Sequence, residues 1–283
     1  MKVLAIDVGG THVKLLLSGR RVPIKIPSGP RMTPRRMVSA VKRLTEGWRY
    51  DVVSIGYPGP VLHGRAVAEP HNLGPGWVSF DFKTALGRPV RMVNDAAMQA
   101  LGSYRGGRML FLGLGTGLGS AFIVDGTLEP MELAHLPYKK GRTYEDYVGL
   151  RGLERLGKKK WRRAVADVVM RLKAALEAEE IVLGGGNAKL LKTLPADARL
   201  GDNANAFIGG FRLWEQDVTP RRTARVAVQR DTERANVSCE LPVLPAAGTL
   251  ARIWPYLAVP PLAVSLFALH QWLAARRRPP ARV

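Results

Sequence analysis

The chain has 283 residues, and 43 Lys and Arg against 23 Asp and Glu give it a formal net charge of +20. Its length supports two small lobes with a sizeable core, and its charge suits a polyanionic partner: nucleic acid, an anionic membrane surface or a phosphate chain. The single cysteine, Cys239, excludes an intrachain disulfide and a cysteine-built zinc site and fits a reducing cytoplasm, while an apolar strand beginning at Lys2 predicts no secretory leader.

The first element is a strand over residues 2–7, followed by the tight turn Val8-Gly9-Gly10-Thr11 and a second strand over 12–17. Asp7 stands at that turn. A third strand is expected over 22–26. Thr33 predicts an N-cap for a helix over 34–44, with Pro34 at its first position. Residues 52–57 read as a buried strand running into Pro58-Gly59-Pro60. The loop Glu69-Pro-His-Asn-Leu-Gly-Pro-Gly-Trp77 mixes Gly, Pro, Asn and Trp in a way that suggests order rather than a linker. A short helix follows over 81–86. The strand 90–95 then ends in Asn94-Asp95 and opens a helix over 96–103. A carboxylate at the carboxyl end of a strand is where α/β enzymes place chemistry.

The chain is organised around residues 109–126. Two apolar runs, 109–114 and 120–124, flank Gly115-Thr116-Gly117-Leu118-Gly119. Three glycines in five residues let backbone N–H groups converge on an anion, although an ordinary glycine hairpin has the same pattern. Because residues 2–17 already carry one strand–glycine turn–strand unit, this second copy favours a phosphate-binding pair. Beyond it, Glu132-Leu-Ala-His135 sets an acid and an imidazole three residues apart, and Tyr144 opens a helix. A longer helix is expected from Lys158 to about Leu176 on the apolar stripe Val165, Val168, Val169, Leu172 and Leu176. Residues 181–183 form a strand into Gly184-Gly185-Gly186-Asn187, with a helix start at Ala188 as a third potential anion site. Residues 203–214 read as the last helix of the body.

In this order, Ile6-Asp7-Val8-Gly9-Gly10-Thr11, Gly56-Tyr57-Pro58-Gly59, Asn72-Leu-Gly-Pro-Gly-Trp77, Val93-Asn94-Asp95-Ala96, Leu114-Gly-Thr-Gly-Leu-Gly119 and Glu132-Leu-Ala-His135 resemble the ROK sugar kinases, with the nearest likeness to the polyphosphate glucokinases among them. The resemblance covers roughly residues 1–214. It implies the actin-like, ribonuclease-H-like ATPase fold, with one α/β lobe over 1–94 and a second over 95–214. It assigns Asp95 as the catalytic base that takes the proton of a sugar hydroxyl. Asn72, Asn94, Glu132, His135 and Glu145 match sugar contacts. Asp7, Gly9, Gly10 and Thr11 match the first phosphate loop, and Gly115, Thr116 and Gly117 the second. Gly184, Gly185 and Gly186 match a loop beside the nucleotide in ATP users.

The implied reaction is phosphoryl transfer from polyphosphate or ATP to the 6-hydroxyl of glucose, with Mg²⁺ carried by the phosphates and Asp7 as its possible protein ligand. The alternatives are an ATP-only hexose or N-acetylhexosamine kinase and a non-catalytic sugar sensor on the same fold. A cytoplasmic homodimer is implied. No zinc is expected, because the clustered cysteines of zinc-binding members are missing. No specific DNA binding is expected, because nothing precedes the first strand where the ROK repressors have a helix-turn-helix. Ala134 stands where the sugar motif has glycine; a left-handed backbone there would strain alanine by roughly 1 kcal/mol. Lys139, Lys140, Arg142, Lys158, Lys159, Lys160, Arg162 and Arg163 are candidates for a basic track that would favour polyphosphate.

Residues 215–283 differ in kind. From 218 onward they hold ten Arg, no Lys and three acids, with an uncharged run over 253–275 between Arg252 and Arg276. That run is long enough for a bilayer, but Pro255, Pro260, Pro261, His270 and Gln271 argue against an anchor. A disordered Arg-rich tail, with membrane contact as the weaker alternative, is the reading.

Overall fold

The computed structural model describes residues 1–215; the Arg-rich segment and the 253–275 run lie outside the described residues. The first sheet collects β1 (Val3–Val8), β2 (His12–Leu17), β3 (Ile24–Pro27), β4 (Val52–Tyr57) and β7 (Val90–Asn94) in the order β3-β2-β1-β4-β7. β1 and β4 are buried along their whole length, as expected of strands covered on both faces. The second sheet collects β8 (Arg108–Leu114), β9 (Leu118–Val124), β10 (Thr127–Met131), β11 (Glu180–Gly184) and β12 (Ala198–Leu200) in the order β10-β9-β8-β11-β12.

The two sheets share one plan. Each has a central strand, β1 or β8, hairpinned to an antiparallel meander on one side and paired in parallel with two later strands on the other. A two-strand hairpin, β5 (Val61–Leu62) with β6 (Arg65–Ala66), stands apart from both.

Helix α1 (Pro34–Leu44) begins as its cap predicts: the Thr33 hydroxyl accepts from the Arg36 N–H, and Met37, Val38 and Val41 are buried against the first sheet's core. α2 (Phe82–Leu86) is capped by Asp81, whose carboxyl is held below the usual carboxylate range by Thr84, first through its side-chain hydroxyl and then through its N–H. α4 (Tyr144–Val148) opens on a capping box between Thr143 and Asp146.

α5 (Leu150–Leu176) starts eight residues before the expected Lys158, and it is broken at Gly157, where φ is 71°. The sequence signal caught the part after the break, because only that part carries the buried stripe Val165, Val168, Val169 and Leu172 on the second core. Three further differences are small. β3 begins at Ile24 rather than at residue 22. The helix start at Ala188 is a single 3-10 turn, Ala188–Leu190, too short for a helix dipole. The edge strands β10 and β12 and the β5–β6 hairpin are additions.

α3 (Asp95–Ser103) and α6 (Asn205–Arg212) join the two sheets. α3 buries Ala97, Ala100 and Leu101 with Phe111, Ala121 and Val182 of the second sheet. Its Met98 and the start of its backbone lie against Gly56 of the first. α6 crosses α3 with backbones in contact: a Cβ on Gly102 would strike the Asn205 carbonyl, and one on Gly209 would strike that of Met98. α6 also lies on β1 and β4, where the Ser54 hydroxyl donates to the Gly210 carbonyl at 2.5 Å. The first residue of α3 is therefore fixed with respect to both sheets.

Candidate active site

Asp95 sits where β7 becomes α3. The parallel pairings set Asp7 of β1 beside Gly56 of β4, and Tyr57 beside Asn94, so the carboxyl ends of the three strands lie in line. Asn94 caps α3: its side-chain oxygen accepts from the N–H groups of Ala96 at 2.8 Å and Ala97 at 3.4 Å, and its amide donates to the Gly59 carbonyl at 3.0 Å. A side chain expected from sequence to meet a sugar hydroxyl is thus engaged in holding the strand end. The Asp95 carboxylate accepts from the Ala96 N–H at 2.7 Å.

Burial pushes the Asp95 carboxyl up to about 7, the neighbouring Asp7 carboxylate adds to the rise, the N–H groups of Ala96 and of Asp95 itself oppose it, and Glu132 adds a smaller upward push. A carboxylate that takes up a proton near neutrality is matched to general-base work at neutral pH.

The first glycine turn lies beside it. Asp7 is 8% exposed and pairs at 2.9 Å with Lys14, its cross-strand neighbour on β2. The Gly9 N–H donates to the His12 carbonyl at 3.0 Å, and the Ser28 hydroxyl donates to the Gly9 carbonyl at 2.6 Å. Thr11 is exposed beside His12, with the hydroxyl and Nδ1 3.3 Å apart. Gly10 is tightly packed, because a Cβ there would stand 3.0 Å from the Cβ of Asn72.

Asn72 reaches this turn on a loop that Glu69 organises. The Glu69 carboxylate accepts from the N–H groups of Gly76, Trp77 and Val78 at 3.0 to 3.2 Å, and Trp77 is buried with its indole N–H donating to the Gly74 carbonyl. The Gly/Pro pattern marked this loop; nothing in the sequence singled out Glu69, whose partners lie seven to nine residues away.

The second turn is narrower than the glycine run suggests. Gly119 is already in β9 opposite Gly113, and the turn proper is residues 115–117, closed by the Gly115 N–H on the Gly117 carbonyl at 3.1 Å. None of Gly9, Gly10, Gly115, Gly117 and Gly119 has the left-handed backbone that favours glycine. What most of them supply is close approach: a Cβ on Gly119 would meet the Cβ of Ala96 at 2.8 Å, and one on Gly117 would strike the Glu145 carboxylate. The Gly119–Ala96 contact brings the second hairpin to the residue after Asp95.

The third glycine loop buttresses this turn. Gly185, at φ 83°, presses on the Leu114 carbonyl, the Asn187 N–H donates to that carbonyl at 2.9 Å, and the Asn187 amide donates to the Gly115 carbonyl at 2.9 Å. Gly184 closes β11 opposite Gly113, and a Cβ on Gly186 would meet open space.

Glu132 and His135 are held to the second sheet through Ser120, whose hydroxyl donates to the Met131 carbonyl at 2.8 Å and accepts from the Leu133 N–H at 3.1 Å. Their side chains lie 4.0 Å apart and are well exposed. Ala134 is buried in the second core and is absent from the left-handed residues, so the strain considered for it does not arise. Glu145 lies between motif and turn. Its N–H donates to the Ala134 carbonyl at 3.0 Å, while its carboxylate accepts from the Leu118 N–H at 3.2 Å and pairs with Arg151 at 3.2 Å.

The structure thus groups Asp7, Asp95, the first turn and Asn72, sets the second turn against α3, and links that turn to Glu145, Ala134 and the 184–187 loop. Of the basic candidates, Lys139 is paired at 2.8 Å with Asp167, whose carboxyl is drawn down to about 2 chiefly by Lys139 and Tyr138; Arg162 donates to the Leu190 carbonyl at 2.7 Å. Lys140, Arg142, Lys158, Lys159, Lys160 and Arg163 are exposed. Among the described residues no three His, Cys, Asp or Glu side chains are grouped to hold a metal.

Residues 3–130 match the family model described as the ROK family. The polyphosphate glucokinase of Mycobacterium tuberculosis is 28% identical over 206 residues, an alignment covering 64% of this chain and 76% of that protein. Among solved structures, the inorganic polyphosphate/ATP-glucomannokinase from Arthrobacter sp. strain KM is 25% identical with a TM-score of 0.64, over 76% of this chain and 99% of that one. The ROK hexokinase from Thermus thermophilus superposes with a TM-score of 0.60 at 21% identity, over 76% and 99% of the two chains. The two-sheet architecture is the actin-like ATPase fold of these kinases.

Proposed function

With a ROK family domain over residues 3–130 as the premise, we propose that this chain is a hexose kinase that transfers a phosphoryl group from polyphosphate or ATP to the 6-hydroxyl of glucose. Residues 1–94 and 95–214 form its two lobes, and Asp95 is its general base. The observation that carries the reading is the Asp95 carboxyl, pushed up to about 7 beside Asp7 and set between the two glycine hairpins.

Asp95 takes the proton of the sugar hydroxyl as the oxygen attacks the terminal phosphorus. The bond from that phosphorus to the donor oxygen breaks, and the donor leaves one phosphoryl group shorter. Alignment and charge neutralisation do most of the catalytic work in such a transfer. Asn72, Glu132 and His135 offer acceptors and donors to the sugar hydroxyls, while Asn94 acts by fixing the strand end from which Asp95 projects. Backbone N–H groups of the two turns take the donor phosphates.

The site fits a magnesium ion carried by those phosphates, since Mg²⁺ needs only one or two protein carboxylates beside them. Asp7, at the end of β1, offers one. A bound Mg²⁺ would supply neutralisation of phosphate charge.

Polyphosphate is the preferred donor in this reading. α5 begins at the second turn, where the Leu150 N–H donates to the Thr116 carbonyl at 3.1 Å. Lys158 to Lys160 follow eight residues on in the chain, just past the break at Gly157. A chain of phosphates leaving the turn along α5 reaches them, whereas ATP ends in an adenosine. The test is a coupled assay of hexose phosphorylation with Mg²⁺ and either donor. Glucose 6-phosphate formation from polyphosphate supports the reading, and no turnover of any hexose with either donor overturns it.

A further inference from the structure

The second glycine turn already holds an anion of its own. The Glu145 carboxylate accepts from the Leu118 N–H at 3.2 Å and lies where a Cβ of Gly117 would be. It is delivered there by two backbone bonds, the Glu145 N–H to the Ala134 carbonyl at 3.0 Å and the Gly149 N–H to the Glu145 carbonyl at 2.9 Å, and it is mostly shielded, with 22% of the side chain exposed. Arg151, 73% exposed, reaches it with one guanidinium nitrogen at 3.2 Å. The same N–H that would serve a donor phosphate is therefore occupied by a carboxylate. The cation beside it makes one hydrogen bond to that carboxylate, lies near enough to Asp146 to act on its charge, and has most of its side chain in solvent.

We propose that Glu145 is an internal competitor for the donor at this turn, and that Arg151 is a donor-binding residue which passes from the Glu145 carboxylate to a donor phosphate. This rests on the reading of the turn as the donor site. A phosphate approaching the turn meets a like charge at hydrogen-bonding range, which lowers its affinity. Once the carboxylate swings off the Leu118 N–H, the phosphate gains both that donor and a guanidinium suited to bidentate contact. The missing side chain at Gly117 is then explained by Glu145, without any phosphate in direct contact with that residue.

The probe is inorganic tripolyphosphate, whose binding to the full chain is measured calorimetrically without sugar, so that no turnover intrudes. Glu145→Gln removes the competing charge and should bind tripolyphosphate about ten-fold more tightly than the parent. Arg151→Gln should bind it about ten-fold more weakly and with a shallower dependence on salt. A merely structural role for Glu145 predicts the reverse, since damage to the turn weakens binding. If Glu145→Gln does not fold, Glu145→Asp, whose shorter arm withdraws the carboxylate from Leu118, should tighten binding in the same direction. Unchanged or weaker binding in the folded Glu145 variant overturns the proposal. A parent chain that phosphorylates glucose while failing this test leaves the kinase reading intact. Tightening in the Glu145 variant together with a parent chain that phosphorylates no hexose overturns that reading instead.

Discussion

The two glycine hairpins are built on one plan and furnished differently. Each joins a central strand to its antiparallel neighbour, and each has the carbonyl of its first turn glycine fixed by a side chain from elsewhere, Ser28 on Gly9 and Asn187 on Gly115. The first hairpin carries its charges within itself: Asp7 and Lys14 face each other across the β1–β2 ladder. The second has no charged residue in its turn and borrows Glu145 and Arg151 from α4 and α5. A turn with its own carboxylate can help to position the catalytic base and a metal. A turn furnished from other elements can change what it offers when those elements move. On the proposed reading, the first hairpin is the one for chemistry and the second the one for donor exchange.

The largest effect expected on the chemical side is at Asp95. Asp95→Asn should keep the fold and lose about 10²–10⁴-fold in kcat, the usual contribution of a general base. Its stability should move the other way. Because the folded-state carboxyl is raised above its unfolded value, ionisation costs the native state stability as pH climbs from about 4 to about 7, and the loss is complete above that. The variant should therefore melt higher than the parent above pH 7 and alike below pH 4, as followed by thermal denaturation at both ends of the range.

On the donor side, Gly117→Ala puts its methyl group against the Glu145 carboxylate, the end of a side chain that can move aside, so its cost should fall at the low end of the about 1–3 kcal/mol that overpacking takes. Combining it with Glu145→Ala should restore most of the lost melting temperature. Failure of that rescue would mean that the two residues do not share the space. Gly115→Ala should behave differently. Its added Cβ meets nothing within 4 Å among the described residues, so it should melt like the parent while its donor KM rises by several-fold, as the methyl group enters the space a phosphate needs.

The smallest effect is expected further along α5. Replacing Lys158, Lys159 and Lys160 by Gln together should raise the KM for polyphosphate a few-fold and flatten its salt dependence, with little change for ATP. Equal change with both donors would detach these lysines from the donor path.

Features set by neighbours in sequence were legible in it. Thr33 before Pro34, the glycines at both turns, and Asn94-Asp95 between an apolar strand and an alanine-rich helix announced α1, the hairpins and the β7–α3 junction that carries Asp95. Contacts between distant residues were not legible. Glu145 lies 27 residues from Leu118, and Asp167 lies 28 from Lys139, so neither the occupied turn nor the loss of one lysine from the basic track could be read from local pattern. The short edge strands β10 and β12 carry too few buried residues to announce themselves. The capping role of Asn94 was not legible for a related reason: the same residue type serves a sugar hydroxyl or a helix cap, and the bonds to Ala96, Ala97 and Gly59 appear only in the fold.

The central claim is that Asp95 is a base poised near neutrality, and the pH dependence of kcat/KM for glucose tests it most directly. The account predicts a single ionisation near pH 7: kcat/KM falls about ten-fold per unit on the acid side, reaches a plateau above it, and loses this limb in Asp95→Asn. A profile that stays flat down to pH 5, or an Asp95→Asn variant with the parent's turnover and profile, would contradict it.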